Sequence, residues 1–207
     1  MPRKSVLEPR KCATQDRSRA TVDVLIEATA RILVKEGFER ASTNRIAAEA
    51  GVSIGSLYQY FPGKDALVAS VIERHKSEMM DILREALVKV HAWPVKRGIR
   101  ELVAVMIRAH RVDPELHRVL VEQIPRTGRL ADVEAFEREA ATLVRAYLAS
   151  HQAELRDVDL DLATFVCVSS VEALAHGAVL RYPKLLARDR LDSFIDETSR
   201  LVMGYLT

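Results

Sequence analysis

The chain has 207 residues, 48% apolar and 29% charged, enough for a sizeable core in one larger domain or two small ones without covalent staples. Its two cysteines, Cys12 and Cys167, stand far apart and no Cys/His zinc spacing occurs, which excludes a disulfide scaffold or a structural zinc site and fits a reducing cytosol. Net charge is only +2, yet residues 1–64 carry eleven Lys/Arg against seven Asp/Glu, and the remainder twenty against twenty-two.

The basic excess is densest at the start, where Arg3, Lys4, Arg10, Lys11, Arg17 and Arg19 face only Glu8 and Asp16. Residues 1–16 therefore read as a basic flexible arm, suited to a polyanion or simply solvated. No apolar stretch follows these charges, so they do not form a signal peptide. Strand signals are nearly absent and helical periodicity runs throughout, which predicts an all-α chain of nine helices. A first helix spans about 17–35, with Val22, Leu25, Ile26, Thr29, Ile32 and Leu33 on one stripe and Gly37 as its stop. A short helix over 43–50, capped by Ser42 or Thr43, ends at Gly51. Ser53 caps another to about Tyr60, and Pro62-Gly63 breaks the chain. A long helix then runs from Lys64 to about Val90 and ends at Trp93-Pro94. Five more follow near 95–111, 114–123, 128–151, 160–181 and 189–205. Asp113-Pro114-Glu115 is a start signal for the second of these. The apolar run Leu162 to Leu180 contains Glu172 and His176, and reads as a buried helix rather than a membrane span.

The stretch Thr43 to Tyr60, TNRIAAEAGVSIGSLYQY, has the layout of a helix-turn-helix. Ala47 supplies the small residue where two crossing helices touch, and Gly51 supplies the positive φ of the turn. Ile46, Val52 and Leu57 bury the inner faces. The second helix then presents small and polar groups, which suits the DNA major groove. Gly55 and Ser56 allow close approach; Ser53, Ser56 and Gln59 offer hydrogen bonds to base edges; Ile54 offers contact to a thymine methyl. Tyr58 and Tyr60 are expected to pack their rings against the domain and reach phosphates with their hydroxyls, while Phe61 is expected in the core. Lys64 sits beside the same backbone. Helical hairpins of this kind also occur in enzymes and adaptor proteins.

The run ATARILVKEGFERASTNRIAAEAGVSIGSLYQYFPGKDAL resembles the N-terminal domain of the tetracycline-repressor (TetR) family over about Arg17 to Leu67. The elements that carry the likeness are Glu36-Gly37-Phe38, Ser42-Thr43, Ile46-Ala47, Ala50-Gly51-Val52-Ser53, Leu57-Tyr58, Tyr60-Phe61 and Lys64-Asp65-Ala66-Leu67. Pro62-Gly63 departs from the more usual polar pair. The resemblance implies a DNA-binding regulator, commonly a homodimer released from DNA by a small ligand. It puts Thr43, Tyr58 and Lys64 on phosphates, with Ser42 capping beside them. It puts Asn44, Arg45 and the exposed side of 53–59 near bases. The expected organisation is a DNA-binding domain over 17–64 and a ligand-binding and dimerisation domain over 65–207.

That second domain must supply a dimer contact, a ligand pocket, or both. The eighth predicted helix has small residues suited to close approach, Ser169, Ser170, Ala173, Gly177 and Ala178, and the ninth has a broad apolar stripe. Ser169, Glu172, Ala173, His176, Phe194, Thr198, Leu201 and Tyr205 are the expected dimer residues, in a four-helix contact between two copies. Trp93, Met106, His110, His117, Leu120, Gln123 and Phe165 mix apolar wall with polar heads and are the candidate pocket. Glu172 and His176, one turn apart, are expected to make an ion pair or an interface hydrogen bond rather than a metal site. Neither a cofactor nor a catalytic residue is expected: there is no GxSxG, no HExxH, and no phosphate loop with the right spacing. The expected function is a cytoplasmic transcriptional repressor that binds a palindromic operator as a dimer and answers to a small-molecule effector. A ligand-independent DNA-architectural protein and a helical enzyme are the alternatives.

Overall fold

The computed structural model describes residues 16–123 and 130–207. Among them are nine α-helices: α1 (Asp16–Glu36), α2 (Thr43–Ala50), α3 (Ile54–Tyr60), α4 (Lys64–Val90), α5 (Val95–Ala109), α6 (Pro114–Glu122), α7 (Leu130–Ser150), α8 (Leu160–Leu180) and α9 (Leu191–Leu206). Two short 3-10 turns, Gln152–Glu154 and Pro183–Leu186, flank α8. The basic arm expected before residue 16, and the expected start of the seventh helix at residue 128, lie outside the described residues.

The chain divides into two compact units. The first holds the described residues up to Lys76 together with 115–123; the second holds 77–114 and 130–207. The sequence places a single boundary after Lys64. The structure instead runs the first unit 12 residues further along α4 and recruits α6 into it.

In the first unit, α1 contributes Leu25, Ala28, Ile32 and Leu33, α2 Ile46 and Ala47, and α3 Leu57, all at 8% exposure or less. Phe61, Leu67 and Val68 complete this core without exposure, and Leu116 and Val119 of α6 join it. Burying these side chains supplies roughly 1.5–3 kcal/mol each for the larger ones. α6 is thus held to the helix-turn-helix by apolar packing, not only by chain connection.

The second unit has its own core, built from the later part of α4, α5, and α7 to α9; Ile107, Leu148, Ile195 and Leu206 are fully buried there. Gly98 of α5 lets Tyr147 of α7 lie against the helix. A Cβ at position 98 would stand 1.9 Å from the Tyr147 hydroxyl. α8 is long and apolar enough by composition to cross a membrane. Ala163, Cys167, Ala175, Ala178 and Val179 instead pack into this core. Burial pushes the Cys167 thiol up to about 11, so it stays protonated and behaves as a small apolar group.

Candidate nucleic-acid interface

Local chemistry builds the turn between α2 and α3. The Ser42 side chain accepts from the Arg45 amide and starts α2. Gly51 ends it at φ 67°, ψ 27°, in the left-handed region. The Gly51 amide donates to the Ala48 carbonyl at 3.2 Å and the Val52 amide to the Ala47 carbonyl at 3.0 Å. This pair of bonds closes the helix end as a Schellman motif, which only a residue free of Cβ strain accepts comfortably. Two residues later Ser53 caps α3, accepting from the Ser56 amide at 3.1 Å and sharing a hydrogen bond with the Ser56 hydroxyl at 2.8 Å. The two caps and the buried Ile46 and Leu57 fix how α3 projects.

The outer side of α3 is open. Ser53, Ile54, Gly55, Tyr58 and Gln59 are exposed, and Ser56 is half-buried. Asn44 is exposed on α2. The hydroxyls of Thr43 and Tyr58 lie 3.1 Å apart and tie the start of α2 to α3. The structure therefore brings together most of the groups expected at DNA: Ser42, Thr43, Asn44, Ser53, Ile54, Gly55, Ser56, Tyr58 and Gln59.

Three groups are placed otherwise than the sequence suggests. Tyr60 is buried, and its hydroxyl donates to Ser18 of α1 at 3.4 Å, so it fastens α3 to α1 instead of reaching outward. The Arg45 guanidinium turns back to the Glu36 carboxylate at the end of α1. Lys64 donates from Nζ to the Phe38 carbonyl at 3.0 Å and lies 4.1 Å from the centre of the Phe38 ring. It pins the start of α4 to the loop after α1, with two ammonium protons left for an anion. Phe61 is fully buried, as its expected core role requires.

The residues expected to line a pocket are divided between the two units. His117, Leu120 and Gln123 belong to the first unit, and Trp93, Met106, His110 and Phe165 to the second. His117 is buried, with its Nδ1 3.0 Å from Nε2 of His75 on α4. Leu120 packs on the first core. Gln123 accepts from the Phe38 amide through Oε1 at 3.1 Å, just past Gly37, whose φ is 80°. A Cβ on Gly37 would stand 2.7 Å from that oxygen. In the second unit, Trp93 lies under the Arg97 guanidinium at 3.8 Å, Met106 is half-buried, His110 is buried, and Phe165 is 66% exposed on α8. No sequence signal separates a pocket wall from these roles, because each depends on which helix lies opposite.

Of the expected dimer residues, Ala173 and Leu201 are exposed, and Ser169, Phe194 and Tyr205 half-buried. Leu162 and Phe165 are exposed near the start of α8, three residues apart and so on one side of that helix. Thr198 is buried and donates to the Phe194 carbonyl at 2.8 Å, so it belongs to the inner side of α9. Glu172 and His176 are half-buried. Burial, and then Glu137, raise the Glu172 carboxyl; burial, and then His110, lower His176 to about 4. Both shifts favour neutral side chains, which argues against the expected ion pair.

The sequence of the helix-turn-helix matches the family model for bacterial regulatory proteins of the tetR family over residues 25–71. The model for the tetracyclin repressor-like C-terminal domain matches residues 94–206, more than half the chain. The chain belongs to the TetR family. That family is one of bacterial regulatory proteins. A TetR-family protein from Mesorhizobium loti superposes with a TM-score of 0.74 at 16% identity, covering 92% of this chain and 98% of that one. SmeT in complex with triclosan superposes at 0.65 with 22% identity, over 88% and 91%. These two likenesses establish the TetR fold. By sequence, the nucleoid occlusion factor SlmA of Haemophilus ducreyi is 28% identical over 120 residues, 58% of this chain and 53% of that protein. The chain thus spans about half the length of the curated relatives it matches.

Proposed function

We propose that this TetR-family protein is a cytoplasmic repressor that binds a palindromic operator as a homodimer and is released by a small-molecule effector. The observation that carries the DNA-binding part is the open face of α3, framed by the Thr43–Tyr58 hydroxyl pair. Small and hydrogen-bonding side chains there suit base edges, and the flanking hydroxyls and Lys64 suit phosphates. Asn44 and Gln59 are the base-reading residues; Arg45 joins them when the Glu36 contact opens.

The exposed Leu162 and Phe165 of α8, with Leu201 of α9, support the homodimer. A two-fold partner sets two α3 helices about 34 Å apart, the spacing of successive major grooves. The effector part is supported by the solved complex of the neighbour SmeT with triclosan. α4 runs unbroken from the first unit into the second, so it offers a route by which an effector held in the second unit shifts α3. A 100-fold loss of DNA affinity requires about 2.7 kcal/mol of coupling, within the usual allosteric range.

A second reading comes from the likeness to SlmA: a DNA-bound role in nucleoid organisation, without release by an effector. One titration separates the two. Fluorescence anisotropy on fragments of the DNA upstream of the gene, with any inverted repeat found there intact or scrambled, measures affinity, salt slope and the response to a small-molecule library. In the repressor reading Lys64→Ala weakens all duplexes and makes the salt slope shallower by about one unit, and one compound class releases the DNA. Binding to the repeat that no compound alters favours the nucleoid reading. Failure to prefer the repeat over random DNA overturns the operator.

A further inference from the structure

The turn from α8 to α9 differs in its charges from the rest of the second unit. Residues 181–190, RYPKLLARDR, hold Arg181, Lys184, Arg188 and Arg190 against the single carboxylate of Asp189. All four cations are exposed, and among the described residues their side chains make no ion pair. Elsewhere in the unit Arg84, Lys89, Arg100, Arg108, Arg145 and Arg200 each meet a carboxylate. Asp192, at the start of α9, is itself 3.8 Å from Arg108. The backbone of the turn is tied down. The Tyr182 amide donates to the Gly177 carbonyl at 3.1 Å, the Leu185 amide to the Tyr182 carbonyl at 2.9 Å, and the Leu191 amide to the Ala187 carbonyl at 2.9 Å. Leu186 and Leu191 are buried in the core of the unit. The four cations are therefore displayed from a fixed backbone.

We infer that this turn is a second contact to the sugar-phosphate backbone of DNA, made without regard to base sequence. The inference rests on the DNA-binding reading above. Four like charges within ten residues repel one another, and a polyanion relieves that repulsion. A duplex offers one phosphate charge per about 1.7 Å of its axis, so several cations on one short turn can be met together. Three of the four are arginines, whose planar guanidinium forks match phosphate oxygens in pairs. Tyr182, 64% exposed, adds a hydroxyl of the kind that meets phosphates. A lipid surface fits less well. It takes up exposed apolar side chains beside the charges, whereas Leu185 and Leu186 of the turn pack on the core. Along the sequence these cations are an ordinary surface charge run. The structure adds that the unit's own carboxylates are engaged by other cations.

The test is an anisotropy titration of the full-length protein on labelled duplexes across a salt series. The variant that combines Arg181→Gln, Lys184→Gln, Arg188→Gln and Arg190→Gln should flatten the slope of log affinity against log salt by about two to three units. It should weaken binding roughly 10- to 100-fold at about 0.1 M salt, on specific and scrambled duplexes alike. Helix content by circular dichroism should not change, because all four side chains are exposed. If the combined variant fails to fold, Arg188→Gln and Arg190→Gln carry the test singly, each flattening the slope by up to about one unit. Lys96→Gln with Arg97→Gln, exposed cations at the start of α5, should leave the slope unchanged. Unchanged slope and affinity in the folded turn variants, while Lys64→Ala still weakens binding, overturn this inference and leave the DNA-binding reading standing. An equal loss on neutralising Lys96 and Arg97 also overturns it, since net charge alone would then be the cause. A wild-type protein that binds no duplex fails the DNA-binding reading, and this inference with it. Binding to phosphatidylglycerol vesicles that the turn variants lose, with the DNA slope unchanged, overturns it in favour of a lipid surface.

Discussion

The hydroxyls of Thr43 and Tyr58 lie 3.1 Å apart, joining the first residue of α2 to the exposed side of α3. Each can donate to the other or outward to a phosphate, so together they can present a proton to DNA while remaining mutually bonded. Tyr58→Phe and Thr43→Val are expected to weaken operator binding by about 1 kcal/mol each, evenly across sequences. The double variant should lose less than the sum, because either single change already breaks the pair. Anisotropy titrations on operator and scrambled duplexes check both points; a loss confined to the operator would show that the pair reads bases instead.

The turn itself depends on Gly51. Nothing lies within 4 Å of a Cβ built there, so a substitution meets backbone strain and no steric clash. Gly51→Val should therefore cost at least about 1–2 kcal/mol in urea unfolding, and Gly51→Asn distinctly less, since asparagine visits the left-handed region more readily. Equal losses for the two would point to a cause other than φ.

A tighter steric relation holds between Gly98 and Tyr147. The Tyr147 hydroxyl is buried and has no hydrogen-bond partner among the described residues, and burial raises its pKa. Tyr147→Phe removes that orphaned group and is expected to leave stability unchanged or raise it by up to about 1 kcal/mol. Gly98→Ala should cost about 1–3 kcal/mol by overpacking. In the Tyr147→Phe background the cost of Gly98→Ala should fall, because the closest opposing atom is gone. Thermal melts of the four proteins in the cycle decide it; strict additivity would remove the steric account.

The bond from the Phe38 amide to Gln123 ties the end of α6 to the loop after α1. Gln123→Ala should destabilise the first unit by about 0.5–1.5 kcal/mol and speed hydrogen exchange at the Phe38 amide. Glutamate at 123 keeps an acceptor and should restore much of the protection. Unchanged exchange in Gln123→Ala would mean that apolar packing by Leu116 and Val119 alone fixes α6.

The sequence by itself determined the elements. Helix starts and stops are local chemistry, written in Ser42, Gly51, Ser53 and Pro114, and the structure's helices begin and end within about two residues of those signals. The helix-turn-helix was legible for the same reason, since its small residue, its positive-φ glycine and its caps all lie within 18 positions. The open face of α3 followed from periodicity. What only the tertiary structure decided is which long-range partner each polar group finds. Tyr60 turns in to Ser18, Arg45 back to Glu36, and Lys64 to Phe38. α6 joins the first unit although its sequence neighbours belong to the second. His110 meets His176 from a separate helix. A helical pattern states which side of a helix is apolar, but not what that side faces. The partner depends on how several helices cross, and the geometry of those crossings is set by the packing of side chains far apart in the chain.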